Sequence, residues 1–210
     1  MVSPMIHYNS DDLTAKQQYK FLSGSIVPRP IAWITTLTAD GNTVNLAPFS
    51  FFSGVSNELP LVSIAIIRKN GELKDSARNL LATKEAVIHI VDETLVEQMN
   101  QTSANLPADQ SEATLANLTL IDSQSTKVPS LEAAKIRFEA SLYNHLPITN
   151  EANEIITDLF ILKVSDFYFA DSVFNSEKEY ILTKELAPVA RLAGNNYATL
   201  AEEYTIVRPS

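Results

Sequence analysis

The chain contains no cysteine, which removes disulfides, thiolate metal sites, iron–sulfur clusters and cysteine nucleophiles at once. Glycine is scarce as well. With only Gly24, Gly41, Gly54, Gly71 and Gly194, no Gly-x-Gly-x-x-Gly turn, P-loop or Gly-x-Ser-x-Gly elbow exists. A Rossmann-bound dinucleotide and a serine hydrolase are therefore unsupported. His7, His89 and His145 are scattered without ligand spacing, so no metal site is expected. Basic residues are outnumbered, 16 against 25 acidic, for a net charge of -9. Phosphate-backbone binding needs clustered Lys and Arg, so no nucleic-acid partner is expected. No apolar run approaches the about 20 residues of a membrane span, and Met1–Tyr8 lacks the basic and apolar regions of a signal peptide. The expectation is a soluble, cytoplasmic chain.

What is present is ordinary for a globular protein: 210 residues, 45% hydrophobic and 20% charged. That length builds a full core without staples. Thr14–Leu22 reads as an amphipathic helix ended by Gly24. Pro28 and Pro30 fix the backbone around Arg29. Ile31 to Thr38 alternates as a strand that places Trp33 and Thr35 on one face and Thr36 on the other. Asp40-Gly41 signals a hairpin turn, Thr43–Ala47 is the return strand, and Pro48 is expected to end its pairing.

Leu61–Ile67 and Ala86–Val91 read as buried strands. Asp75–Leu81 reads as a helix with Asp75 as N-cap. Thr94-Leu-Val-Glu97 has capping-box spacing for a helix to Gln101. Ile136–Tyr143 and Asp158–Phe169 are further strands. The polar stretch between Gln101 and Ser130 reads as an insertion holding a small helical turn. Strands joined by a tight hairpin, with short helices between others, predict a mainly β fold with helices, a β-barrel in outline.

Three segments carry chemistry. Arg68, Lys69, Lys74 and Arg78 form a basic island in an acidic chain, at the start of a helix. Helix N-termini expose unpaired amides and partial positive charge, which suits a phosphate, and Ser76 adds a hydroxyl. A solvated loop and an ordinary capped helix explain the same residues. Asn45 to Phe52 offers backbone amides at Ala47–Ser50, the side chains of Asn45 and Ser50, and Phe49, Phe51 and Phe52 as walls for a flat ring. Core packing explains those aromatics equally. Thr35 and Thr36 carry hydroxyls that β-propensity also explains. No catalytic nucleophile accompanies these segments, so they suit a site that holds a reactive cofactor, here a flavin mononucleotide (FMN).

The run Gly24–Thr36, then Asn45–Phe52, then Lys74-Asp-Ser-Ala-Arg-Asn79 resembles the flavin reductase-like family with the FMN-binding split barrel. Met99-Asn-Gln-Thr-Ser103 and Val189–Gly194 with Tyr197 are similar to its later blocks. The resemblance runs from about Tyr19 to Pro209, giving an N-terminal extension over 1–18 and one domain over 19–210. It implies a homodimer of split barrels with FMN near the subunit interface. It implies Thr35, Thr36, Asn45, Ala47, Pro48 and Ser50 near the isoalloxazine, and Arg68, Lys74 and Ser76 at the phosphate. Arg191 and Tyr197 are expected to close over or support the site, and Asn100 and Thr102 to approach flavin or the partner subunit. The chain departs from the family pattern at Asp75-Ser76, where Asp-Thr is usual, and at Phe160-Ile-Leu-Lys-Val with Phe167 and Phe169, where polar groups and histidines are usual.

The resemblance implies an NAD(P)H-dependent flavin reductase that passes electrons to free flavin, oxygen or a partner oxygenase. Alternatives are an FMN oxidase of a small metabolite, a non-enzymatic electron carrier or redox sensor, and a barrel for another phosphorylated ligand.

Overall fold

The first helix opens on a reciprocal cap. The Thr14 amide donates to Gln17 Oε1 at 3.0 Å and the Gln17 amide to Thr14 Oγ1 at 3.3 Å. This helix, α1, spans Ala15–Ser25 in a computed structural model that describes residues 3–209. Met1, Val2 and Ser210, the outer ends of the expected extension and domain, lie outside the described residues. Gly24 does not end α1. It lies in the last turn, where an added Cβ would sit 3.8 Å from that of Ala193, and Ile26 is the cap.

In chain order there follow β1 (Ala32–Leu37), β2 (Val44–Phe49), β3 (Phe52–Gly54), β4 (Leu61–Ile67), α2 (Asp75–Thr83), β5 (Glu85–Ile90), α3 (Val96–Gln101) and α4 (Glu112–Leu115). Then come β6 (Leu120–Ile121), β7 (Ser130–Leu131), β8 (Ile136–Thr149), β9 (Ile155–Phe169), β10 (Phe174–Asn175), β11 (Tyr180–Ile181), α5 (Thr183–Leu186), β12 (Val189–Arg191) and β13 (Tyr197–Thr199).

Seven strands form one antiparallel sheet in the order β2-β1-β5-β8-β9-β4-β3. β2 and β3 stand at opposite ends of that order, yet only Ser50 and Phe51 separate them in sequence. The sheet therefore curls until its ends approach, and the Ala65 amide donates to the Phe51 carbonyl at 2.9 Å at the junction. The fold is mainly β, a curled antiparallel half-barrel with a few helices.

The curl encloses Ala32, Ile34, Ile64, Ile66, Ile88, Phe160 and Leu162, with Ala77 and Leu80 of α2 packed among them. The opposite face of β1 enters a second cluster, where Ile31 and Trp33 meet Leu46, Met99, Ala113 and Leu131. The alternation read from Ile31 to Thr38 thus separates two cores. Burying each of the larger aliphatic and phenyl side chains among them contributes about 1.5–3 kcal/mol. The polar 101–130 segment is a wall of the second core and not an added appendage, because Ala113, Leu118 and Leu120 pack there.

The hairpin at Asp40-Gly41 forms as read, with Gly41 at φ 76° and the Asp40 carboxylate accepting from Thr38 Oγ1 and Asn42 Nδ2. Other local expectations need correction. Pro48 does not end pairing: it sits opposite Trp33 within β2, an edge strand that tolerates a residue with no amide donor. Thr94 forms no capping box. Its hydroxyl and amide both bind the Asp92 carboxylate, and α3 starts at Val96 after Leu95. The β8 and β9 strands run well past Tyr143 and begin before Asp158, building a long arm. Asn144, His145 and Pro147 hide it from sequence, because the arm exposes both faces and lacks an apolar period.

Candidate functional site

Two clefts share the Pro48–Phe49 end of β2. The first, about 560 Å³, lies between that strand end, α1, α3 and the loop after β12. The second, about 400 Å³, lies between β2, the loop leading into α2, and the segment after α3. Pro48, Phe49 and Ser103 line both. Both volumes are in the ordinary range for small-molecule sites, roughly 300–1,000 Å³.

The second cleft is built around the start of α2. Asp75 is not the N-cap expected of it. Lys74 occupies that position with extended geometry (φ −70°, ψ 156°), and no side chain caps the first turn. The reason is that the Asp75 carboxylate turns to the Arg78 guanidinium, an i,i+3 ion pair. First-turn amides are thereby left available to an incoming acceptor. Ser76, 2% exposed, accepts from Asn45 Nδ2 at 2.7 Å, so its hydroxyl proton remains free to donate. Among the described residues Lys74 has no carboxylate in ion-pair reach, and its ammonium lies 5.8 Å from the Phe49 ring centroid. Burial, followed by the nearby Lys69 ammonium, holds the Lys74 pKa below its ordinary value. An anion placed here reverses that penalty.

Glu112 also lines this cleft, and sequence reasoning missed it. The residue is 6% exposed, and its carboxylate accepts from the Leu46 amide at 2.9 Å. Burial pushes its pKa up, against the opposing pull of that hydrogen bond. Nothing in the local sequence signals it, since the contact crosses 66 positions.

Arg68 does not join the cleft. Its Nε and Nη2 hold the two oxygens of Asp158 at 2.8 and 3.1 Å, a bidentate pair that commits the guanidinium to the barrel wall. His145 Nε2 lies 2.9 Å from the same carboxylate. Burial pushes Asp158 up, but these partners outweigh it and hold its pKa below the ordinary value. Thr35 and Thr36 also lie outside both clefts. Thr35 is fully buried and donates to the Pro129 carbonyl at 2.7 Å, while Thr36 accepts from Asn79 Nδ2 at 3.3 Å. A strand central to two packed layers turns both hydroxyls inward, so they tie β1 to its neighbours.

Asn45, Ala47, Lys74, Ser76 and Thr102 line the second cleft. Ser50, Asn100, Arg191 and Tyr197 line the first, with Pro48 common to both. Thr102 spends its hydroxyl on the fold, accepting from Trp33 Nε1 and donating to the Met99 carbonyl, each at 2.8 Å. At the rim of the first cleft the Tyr197 hydroxyl accepts from Arg191 Nη1 and donates to Asn100 Oδ1 at 3.0 Å. Arg29, pinned between two prolines, is the other residue that the sequence reading left unassigned. It is 5% exposed and reaches into the first cleft.

The residues present fit an FMN-sized ligand. An uncapped helix start, a lysine without an ion-pair partner among the described residues and a free hydroxyl donor are the groups a phosphate would need, and the adjoining β2 edge would wall a flat ring with backbone and phenyl ring.

The sequence and the fold both resemble those of known proteins. The uncharacterized protein YwrF of Bacillus subtilis (strain 168) is 45% identical over 206 residues, 98% of this chain and 100% of that protein. The crystal structure of nitrilotriacetate monooxygenase component B from Bacillus cereus superposes with a TM-score of 0.93 at 40% identity, covering 98% of this chain and 100% of that one. Pseudomonas fluorescens 2-nitrobenzoate 2-nitroreductase NbaA superposes with a TM-score of 0.86 at 27% identity, covering 97% and 96%. The flavin reductase like domain model matches residues 23–184, most of the chain, and the protein belongs to that family.

Proposed function

We propose that the chain binds FMN and works as an NAD(P)H-dependent flavin reductase. The observation that carries this reading is the uncapped start of α2, where Lys74 and Ser76 open into a cleft continuous with the β2 edge. Lys74, Ser76 and the first-turn amides would hold the phosphate, and Asn45 would orient the Ser76 hydroxyl. Ala47, Pro48 and Ser50 would border the ring where the two clefts meet. Bound flavin supplies hydride and electron transfer. The chain's own contribution is to bind, orient and exclude water.

Two further elements belong to the proposal. A partner oxygenase is the electron acceptor favoured by the likeness to a monooxygenase component B. A homodimer is favoured by the β8–β9 arm, which leaves Tyr143, Leu146, Ile148 and Ile156 exposed for a second copy to cover.

The test is anaerobic mixing of the FMN-loaded protein with NADH and with NADPH, followed by flavin absorbance. Rapid bleaching by either, restored by air or free flavin, supports a reductase. Tight FMN binding without bleaching by either donor would replace this reading with an oxidase or a carrier. Failure to take up FMN at any concentration would remove the flavin assignment.

A further inference from the structure

We propose that the first cleft is a binding site for a planar organic carboxylate, held by Arg29 and Arg191 and separate from the phosphate subsite. The site stands on the two arginines and does not depend on flavin binding. Given the flavin reading, its occupant is the second reactant, seated beside the ring.

Arg29 is a buried charge without a counter-charge. It is 5% exposed, and its acceptors are all neutral. Nε donates to Ser50 Oγ at 3.3 Å, Nη1 to the Ser23 and Ile26 carbonyls, and Nη2 to the Leu192 carbonyl at 2.9 Å. A guanidinium has five N–H donors. Four are used, and one on Nη2 is left.

Arg191 is tied to Arg29 through the backbone. The Arg29 amide donates to the Arg191 carbonyl at 3.1 Å and the Arg191 amide to the Arg29 carbonyl at 2.8 Å. Its side chain stacks over Tyr197 at 4.6 Å and donates to the Tyr197 hydroxyl and the Gly194 carbonyl, leaving its remaining N–H groups free. Among the described residues neither arginine has a carboxylate in ion-pair reach. That is unexpected in a chain with 25 acidic residues. Buried charges are normally paired, and an unneutralised buried guanidinium beside a second, half-buried one in the same cavity is best explained by an anion supplied from outside.

The walls select the rest of the ligand. Tyr19, Ile31, Phe49 and Met99 give the cleft apolar and aromatic sides suited to a flat body. The free donors lie on forked, planar groups, which match the two oxygens of a carboxylate. A clamp role for Arg29 alone, joining the end of α1 to the loop after β12, accounts for its four bonds. It does not account for Arg191, which lines the same cavity with no carboxylate partner among the described residues.

The test is calorimetric titration of benzoate and, separately, inorganic phosphate into the full chain with saturating FMN and into the chain alone. Wild type should bind benzoate, Arg191→Gln should weaken it at least about tenfold, as loss of one charge-assisted contact implies, and Lys74→Ala should leave it unchanged. FMN affinity should survive Arg191→Gln, so this proposal and the flavin reading fail separately. If Arg191→Gln melts early, Arg191→Lys keeps the charge without the fork and should weaken benzoate severalfold. Absence of benzoate binding, or equal affinity in wild type and Arg191→Gln, overturns the proposal. Loss in Lys74→Ala relocates the anion to the second cleft and also overturns it. Phosphate that competes with benzoate and is lost in Arg191→Gln overturns the carboxylate assignment.

Discussion

The Asn45 side-chain amide donates to Ser76 Oγ at 2.7 Å, joining strand β2 to the first turn of α2 inside the second cleft. Both residues are buried, so the bond is exchanged for nothing when one partner is removed. Ser76→Ala strands the Asn45 amide and is expected to cost about 1–3 kcal/mol in stability. It should also weaken FMN roughly tenfold through loss of the hydroxyl donor. Ser76→Thr should retain most of both. Urea unfolding and fluorescence titration of FMN measure the two effects.

Lys74→Ala combined with Ser76→Ala should lower FMN affinity by about ten- to a hundredfold, the range of charge-assisted hydrogen bonds. Arg68→Ala is the contrasting variant. It leaves Asp158 without its bidentate partner and should lower the melting temperature while leaving FMN affinity near wild type. A strong loss of flavin in Arg68→Ala with a normal melt would return Arg68 to the phosphate subsite.

Glu112→Gln removes a negative charge from the second cleft and keeps an acceptor for the Leu46 amide. Its expected outcome is FMN binding tightened a few-fold with stability preserved. Glu112→Ala orphans that buried amide and should destabilise by about 1–3 kcal/mol. Equal melting curves for the two variants would contradict the role given to the hydrogen bond.

His89 is fully buried between two backbone partners. Nδ1 lies 2.8 Å from the Trp33 carbonyl and Nε2 3.0 Å from the Leu131 amide. The ring therefore donates at one nitrogen and accepts at the other, which only the neutral form can do. Burial, the main cause, pushes its pKa down from 6.5 to about 4. The folded value lies below the unfolded one, so the neutral ring's contribution is complete above pH 6.5 and is lost as pH falls towards about 4. The full effect is on the order of 3 kcal/mol. Chemical denaturation across this window should show a steeper loss in wild type than in His89→Gln, by up to one proton. Parallel profiles would mean that His89 does not titrate on unfolding.

The second cleft was partly legible before folding, because its determinants are local. Lys74, Ser76 and the helix start adjoin in sequence, and the Asn45–Ser50 strand end announces itself by Pro48 and the phenylalanines. Arg68 lies outside that cleft, paired with a carboxylate 90 positions away, of which a basic island in sequence says nothing. Thr35 and Thr36 lie outside both clefts, because alternation assigns faces without saying that both faces of β1 are buried.

Composition, the Asp40-Gly41 turn and the period of β1 were enough to determine a mainly β chain, because each depends on backbone geometry within a few residues, and the motif blocks of the sequence carried the resemblance to the flavin reductase-like family. Which charges stay unpaired was decided only in three dimensions. The curl that brings β12 against Arg29 and takes Asp158 to Arg68 sets long-range distances, and electrostatic partnership depends on distance through space and not along the chain.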